Sequence, residues 1–183
     1  MKPDQYARLA GTTMHVINVC KGRGFVPFLT KQFNYYSAWD SFTYRLAQHL
    51  AGSPDGLSLN RGVAVKTVRE CALDIVASRD RLEAGEELLF GRITLRGFPA
   101  VPFVGSHEEL AFLMEKKAGR GLHIQLSSLT ACYQAFLAAA ERIGAPVDDL
   151  WPEAETIPTA QEVQAEYARP LREAASTINT VRA

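Results

Sequence analysis

Three cysteines, Cys20, Cys71 and Cys132, and four histidines, His15, His49, His107 and His123, are the side chains best able to act as nucleophiles, proton carriers or metal ligands. A structural metal site needs such residues in close sets, such as a C-x-x-C pair or neighbouring histidines at ligand spacing. Here they stand singly along 183 residues. Local spacing gives no Ser/His/Asp or Cys/His grouping either, so no activated nucleophile is legible. The cysteines read as buried free thiols, and no catalytic residue, cofactor or metal is expected. The run Glu115-Lys-Lys-Ala-Gly-Arg-Gly121 does combine glycines with cations. Phosphate loops, however, follow a strand and open a helix, where amides and the helix dipole converge. This run follows a helix and precedes a strand, and so reads as a solvated helix end with a C-cap.

Charge is more informative than reactivity. The formal net charge is zero, yet residues 1–82 carry 11 Lys/Arg against 6 Asp/Glu, and the remainder carries 9 against 14. The excess lies mainly within residues 1–50, at 6 against 2. One end of the chain therefore suits a polyanion and the other does not. No apolar run is long enough to span a bilayer, and the opening residues lack the pattern of a secretory signal, so a soluble, cytoplasmic protein without a membrane partner is expected.

Several elements must position these charges. Pro3 near its start and Gly11 past its end predict a first helix over Asp4 to Ala10. Thr12 and Thr13 offer caps for a second helix over Met14 to Arg23, stopped by Gly24. Two short helices joined by a tight Gly-containing turn form a helix-turn-helix pattern. Phe25 to Tyr36, with Pro27 and many aromatic residues, predicts a two-stranded wing. Ser37 caps a third helix bearing Trp39, Phe42, Leu46 and Leu50. A longer helix opens at Ser58 or Asn60 and runs to Leu82, with Val65, Val68, Ala72 and Ile75 as a stripe that serves either its own core or a dimer seam.

Beyond Gly85 the period changes to two. Leu89, Gly91, Ile93 and Leu95 alternate with Phe90, Arg92, Thr94 and Arg96, as in a half-buried strand. Val101 to Val104 is a second strand, and Ser106 with Glu109 forms a capping box before the helix His107 to Lys117, with Leu110, Leu113 and Met114 on its buried side. A third strand covers Leu122 to Leu126, followed by a strongly apolar helix over Ser128 to Ile143. This order suggests a small right-handed βαβ unit. The tail past Trp151 has few large apolar residues, and reads as peripheral, with one helix near Ala160 to Ala175.

The segment Tyr6-Ala-Arg-Leu-Ala-Gly11-Thr-Thr-Met-His-Val-Ile-Asn-Val-Cys-Lys-Gly-Arg-Gly-Phe-Val-Pro27 resembles the opening of the MerR (mercury-resistance regulator) family: a Leu-Ala-Gly turn, a recognition helix, and a closing Gly-hydrophobic-hydrophobic-Pro. Tyr35-Tyr36-Ser37 with Asp40 is similar to the family's entry to its third helix, and Leu57-Ser-Leu59 to its lead into the fourth. The likeness covers Asp4 to Leu82. The chain departs from the family near His15 and Asn18, where members place arginines, and near Val19 and Cys20, where they place tyrosines. The C-terminal half resembles none of the family's sensing domains.

The expected fold is an α+β chain in three parts: a winged helix-turn-helix over 1–83, which the resemblance implies, and, from the order of elements alone, a small βαβ-containing domain over 84–151 for dimerisation or for an effector or protein partner, and a tail over 152–183. The resemblance implies a recognition helix in the major groove of double-stranded DNA, with Thr12, Thr13, His15, Asn18 and Lys21 facing the bases and nearby phosphates, and Asn18 suited to a bidentate pair with adenine. Arg23, Lys31, Gln32, Asn34 and Tyr35 would follow the backbone from the helix end and wing. One of Tyr35 and Tyr36 must pack beneath the wing. The expected function is a sequence-specific transcriptional regulator acting as a homodimer, through the Ser128 to Ile143 helix in preference to the Val65 stripe. The alternatives are a phage or mobile-element architectural factor of excisionase or packaging small-subunit type, and a small-molecule-binding α/β module.

Overall fold

The computed structural model describes residues 1–29, 35–52, 59–117 and 121–168. Its elements are α1 (Pro3–Leu9), α2 (Met14–Gly22), α3 (Ala38–Gly52), α4 (Arg61–Ala77), α5 (Arg79–Glu83), β1 (Leu88–Leu95), β2 (Val101–Ser106), α6 (His107–Lys117), β3 (Leu122–Ser128) and α7 (Leu129–Ile143). A 3-10 turn at Ala154–Thr156 and helical residues 160–168 follow. The expected α+β composition is present.

Local chemistry accounts for most boundaries. Pro3 opens α1, and Gly11, at φ +71°, turns the chain out of it. Thr13 Oγ1 accepts from the Val16 amide at 3.4 Å to start α2, and Gly24, at φ +68°, follows its end. Ser37 and Asp40 cap α3 reciprocally, at 3.0 and 3.1 Å, as do Ser106 and Glu109 for α6, at 3.2 and 2.6 Å. Asn60 caps α4 through the Gly62 amide at 2.9 Å. The expected single helix to Leu82 breaks at Ser78, whose hydroxyl donates back to the Asp74 carbonyl at 2.7 Å before α5 begins.

The sheet is antiparallel with order β2-β1-β3. This corrects the expected βαβ unit. β2 and β3, joined through α6, run parallel to each other, but β1 lies between them and is antiparallel to both, because it precedes β2 through a short hairpin and supplies hydrogen bonds on both edges. β1 is also buried on two sides, not one. Leu88 and Phe90 enter the main core beside α4 and α7, while Ile93, with Phe103 of β2, is buried on the opposite face. There α6 crosses the sheet, with Glu109 against Gly105. Leu110 and Leu113 are half-buried as expected, but Met114 is exposed, as is Phe112.

One continuous core joins the N-terminal helices to α7 and the segment after it. Phe42 of α3 lies 5.2 Å from Phe136, 6.1 Å from Tyr133 and 6.3 Å from Trp151, ring centre to ring centre. Such aromatic pairs each add about 0.5–1.5 kcal/mol beyond the area they bury. The core therefore crosses the 83/84 boundary expected from sequence. It also consumes both faces considered for a dimer: Val65, Val68, Ala72 and Ile75 are buried within the chain, and so are Leu129, Cys132, Tyr133 and Phe136.

The tail is not peripheral as far as residue 168. Ile157 and Val163 are buried, and Glu166 receives a bidentate pair from Arg69 of α4 at 2.7 and 2.8 Å. Thr159 and Glu162 form the capping box that starts this last helix. None of the helices among the described residues is long and apolar enough to cross a membrane.

Candidate nucleic-acid interface

α2 is held from beneath and open above. Ile17 and Cys20 are buried, Cys20 Sγ accepting from the Tyr44 hydroxyl at 3.3 Å, so one side of the helix is fixed to α3. The 3.6-residue period then carries His15, Asn18 and Val19 to the solvent side, with Thr13 and Lys21 at its margins, and all five are exposed. Thr12 is half-buried in the turn, and Arg23 is exposed at the helix end. A rigid floor under a mixed polar and small-apolar face is what base-edge contact requires.

Not every expected contact residue is available in the same degree. Thr13 spends its hydroxyl oxygen on the α2 cap. Lys21 reaches Tyr36, with Nζ 3.5 Å from the phenol oxygen and 5.4 Å from the ring centre, an arrangement that uses part of its charge internally. Tyr36 is the tyrosine that packs inward, stacked on Tyr6 at 4.3 Å, and its carbonyl accepts from the N-terminal ammonium at 2.6 Å. Tyr35 stays at the surface, but its hydroxyl donates to Asp149 Oδ2 at 2.5 Å, and that carboxylate holds the phenol's proton, raising its pKa above the usual value. Tyr35 is thus tied to the segment after α7 and has no spare hydroxyl hydrogen for a phosphate. Lys31, Gln32 and Asn34, and with them the body of the expected wing, lie outside the described residues.

Val19 was missed from sequence. It is 40 % exposed between Asn18 and Lys21, and an apolar side chain there can meet a thymine methyl. Its helical position relative to His15 and Asn18 gave the signal, which apolarity masked.

The three cysteines are free and buried. Cys71 donates to the carbonyls of Gly91 at 3.4 Å and Phe103 at 3.7 Å, and burial pushes its pKa up to about 12, while burial raises that of Cys132 to about 11. Such thiols are poor nucleophiles. Among the described residues no group of three or more His, Cys, Asp or Glu side chains is placed to hold a metal ion. Of the Glu115 to Gly121 run, residues 118–120 lie outside the described residues. The chain matches no protein-family model, and comparisons with curated proteins and with solved structures give no significant match.

Proposed function

We propose that this protein is a sequence-specific duplex-DNA-binding regulator of transcription, working in the cytoplasm as a homodimer, with α2 as the helix that enters the major groove. The observation carrying this reading is the exposed face His15, Asn18 and Val19 on a short helix whose opposite side, Ile17 and Cys20, is buried. The positive excess of the first half adds attraction to phosphates. The departures from the MerR-like pattern leave few cations on α2, so a second copy is needed for useful affinity.

The outer edge of β3, which pairs with no other strand among the described residues, is the surface best suited to that second copy. Arg96 N–H donates to the Gly121 carbonyl at 3.0 Å, which fixes the alternation of the β1–β3 ladder. Residues 121, 123, 125 and 127 then bond towards β1, and Leu122, Ile124 and Leu126 direct their amides and carbonyls outwards. The strand Leu122-His-Ile-Gln-Leu-Ser-Ser128 contains no Asp, Glu, Lys, Arg or Pro, whereas the other edge carries Pro102 in β2. Charges and prolines are the usual protection of an edge. Two copies related by a two-fold axis at Ile124 would place Leu122 opposite Leu126 in an antiparallel six-stranded sheet.

Electrophoretic mobility shift against randomised duplexes tests the central reading: binding should weaken steeply as salt rises. Asn18→Ala should cost about 1–3 kcal/mol on the selected sequence and relax preference at one base pair. Arg23→Ala should weaken all sequences alike. Absence of binding at low salt refutes the reading. Sedimentation tests the dimer, since Ile124→Pro removes an outward-facing N–H while leaving the hydrogen bonds to β1 in place, and should leave a folded monomer.

A further inference from the structure

A cavity of about 550 Å³ lies behind α2, between the turn after α1, the outer side of α3, the start of α4 and the start of α7. Its volume falls within the range of small-molecule sites, roughly 300–1,000 Å³. Cys20, Tyr44 and Cys132 line it, and small side chains, among them Ala47, Ala131 and Ala135, leave the space that larger ones would fill. Its charged lining is of one sign. Arg45 and Arg61 contribute to it, and no Asp or Glu is among the described lining residues. Neither guanidinium is in an ion pair among the described residues. Arg45 is half-buried and fixed in place by donating from Nη1 to the Leu9 carbonyl at 3.2 Å, which leaves its other N–H groups for a second acceptor.

We infer that this cavity binds a small organic carboxylate with an apolar body, its anionic end paired with Arg45 and Arg61 and its body seated against the alanines and Val65. Two guanidiniums over an apolar recess fit a charged head on a hydrophobic group, because a fork of donors matches a carboxylate bidentately while the body is removed from water. A DNA phosphate is the competing occupant of the cations, but it has nothing to place in the recess. The binding site itself does not depend on the DNA-binding reading. Its consequence does: Gly11, Cys20 and Phe25, which flank or belong to α2, all line the cavity, so an occupant bears on the setting of the recognition helix.

Benzoate and its neutral counterpart benzamide are the probes, titrated into the full chain with thermal melting and NMR as readouts. Benzoate at millimolar concentration should raise the melting temperature progressively, and its ring protons should show Overhauser contacts to the methyls of Val65 and Ala131. Benzamide should bind at least about tenfold more weakly, as loss of one charge-assisted pair requires. Arg61→Gln should narrow the distinction between the two probes severalfold while leaving the melting temperature of the free protein unchanged, because this exposed side chain makes no hydrogen bond or ion pair among the described residues. Equal binding of both probes, binding of neither, or contacts to methyls elsewhere overturns the inference. Benzoate binding by a protein that ignores DNA would remove the proposed function and leave this site standing; DNA binding without benzoate binding does the reverse.

Discussion

Asp149 grips two parts of the N-terminal half with one carboxylate: Oδ2 accepts from the Tyr35 hydroxyl at 2.5 Å and Oδ1 from the Ala38 amide, at the start of α3, at 2.8 Å. Tyr35 and Asp149 are separated by 114 positions in the chain. The carboxylate thus caps α3 from outside it, satisfying an amide that the helix itself cannot. Asp149→Ala should cost about 1–3 kcal/mol in denaturant unfolding, the range for removing a charged acceptor from a part-buried donor. Tyr35→Phe, which leaves the Ala38 contact intact, should cost less. Equal losses in the two variants would show that the Ala38 contact carries none of the stability.

Tyr6 presents the opposite case. Its side chain is fully buried, and its hydroxyl has no hydrogen-bond partner among the described residues. A buried hydroxyl without a partner is a net cost, so Tyr6→Phe should preserve the stack on Tyr36 and raise stability by about 1 kcal/mol. Thermal and denaturant melts of the variant decide it, and a loss of stability would mean the hydroxyl is satisfied.

Alkaline stability follows from groups that share a direction. Burial raises Cys71 and Tyr44 to about 12 and Cys132 to about 11. Each folded-state pKa lies above its unfolded value, so each contribution is complete below the unfolded pKa and is lost as pH rises through the folded one. The melting temperature should therefore hold to about pH 8.5, where an unfolded thiol begins to ionise, and then fall towards pH 12. Cys71→Ala should cost about 1–3 kcal/mol at neutral pH but make the alkaline decline shallower. An unchanged slope would exclude this thiol from the effect.

The centre of the sheet tolerates no side chain at position 91. Gly91 has φ +148°, and a Cβ there would stand 2.2 Å from the Gln125 carbonyl oxygen. Gly91→Ala should cost about 2–4 kcal/mol by strain and by forcing β3 from β1. Gly97→Ala is the control, since its φ of +84° is also unfavourable but a Cβ meets nothing within 4 Å. It should cost about 1 kcal/mol. Equal losses would assign the whole effect to backbone conformation.

Helix starts and stops were legible because Thr13, Ser37, Asn60, Ser106, Gly24 and Gly144 act on neighbours within a few residues. The exposed face of α2 was legible for the same reason, as helical period alone sorts His15 and Asn18 from Ile17. The sheet order was not, because Phe90 and Ile93 are both apolar and an alternating strand gives no sign that it is buried on both faces. Amphipathic pattern likewise marks Val65 and Phe136 as buried without naming the surface that buries them, and here it was the chain's own. The tail's docking rests on Val163, Ile157 and one Arg69–Glu166 pair, too sparse a pattern to read. The cavity behind α2 draws its lining from residues 10 to 135, so no local motif announces it.

The ring cluster that joins Phe42 to Phe136, Tyr133 and Trp151 also sets a schedule for synthesis. Chains emerge from the N-terminus at about 5–20 residues per second, so α1 to α3 leave the ribosome several seconds before the aromatic partners that complete their core. During that interval Phe42 lacks Phe136, Tyr133 and Trp151, and Trp39 lacks Trp151. Translation arrested before Trp151 should therefore yield a polypeptide in which α2 can still dock on α3 through Cys20 and Tyr44 but the far side of α3 stays open to water.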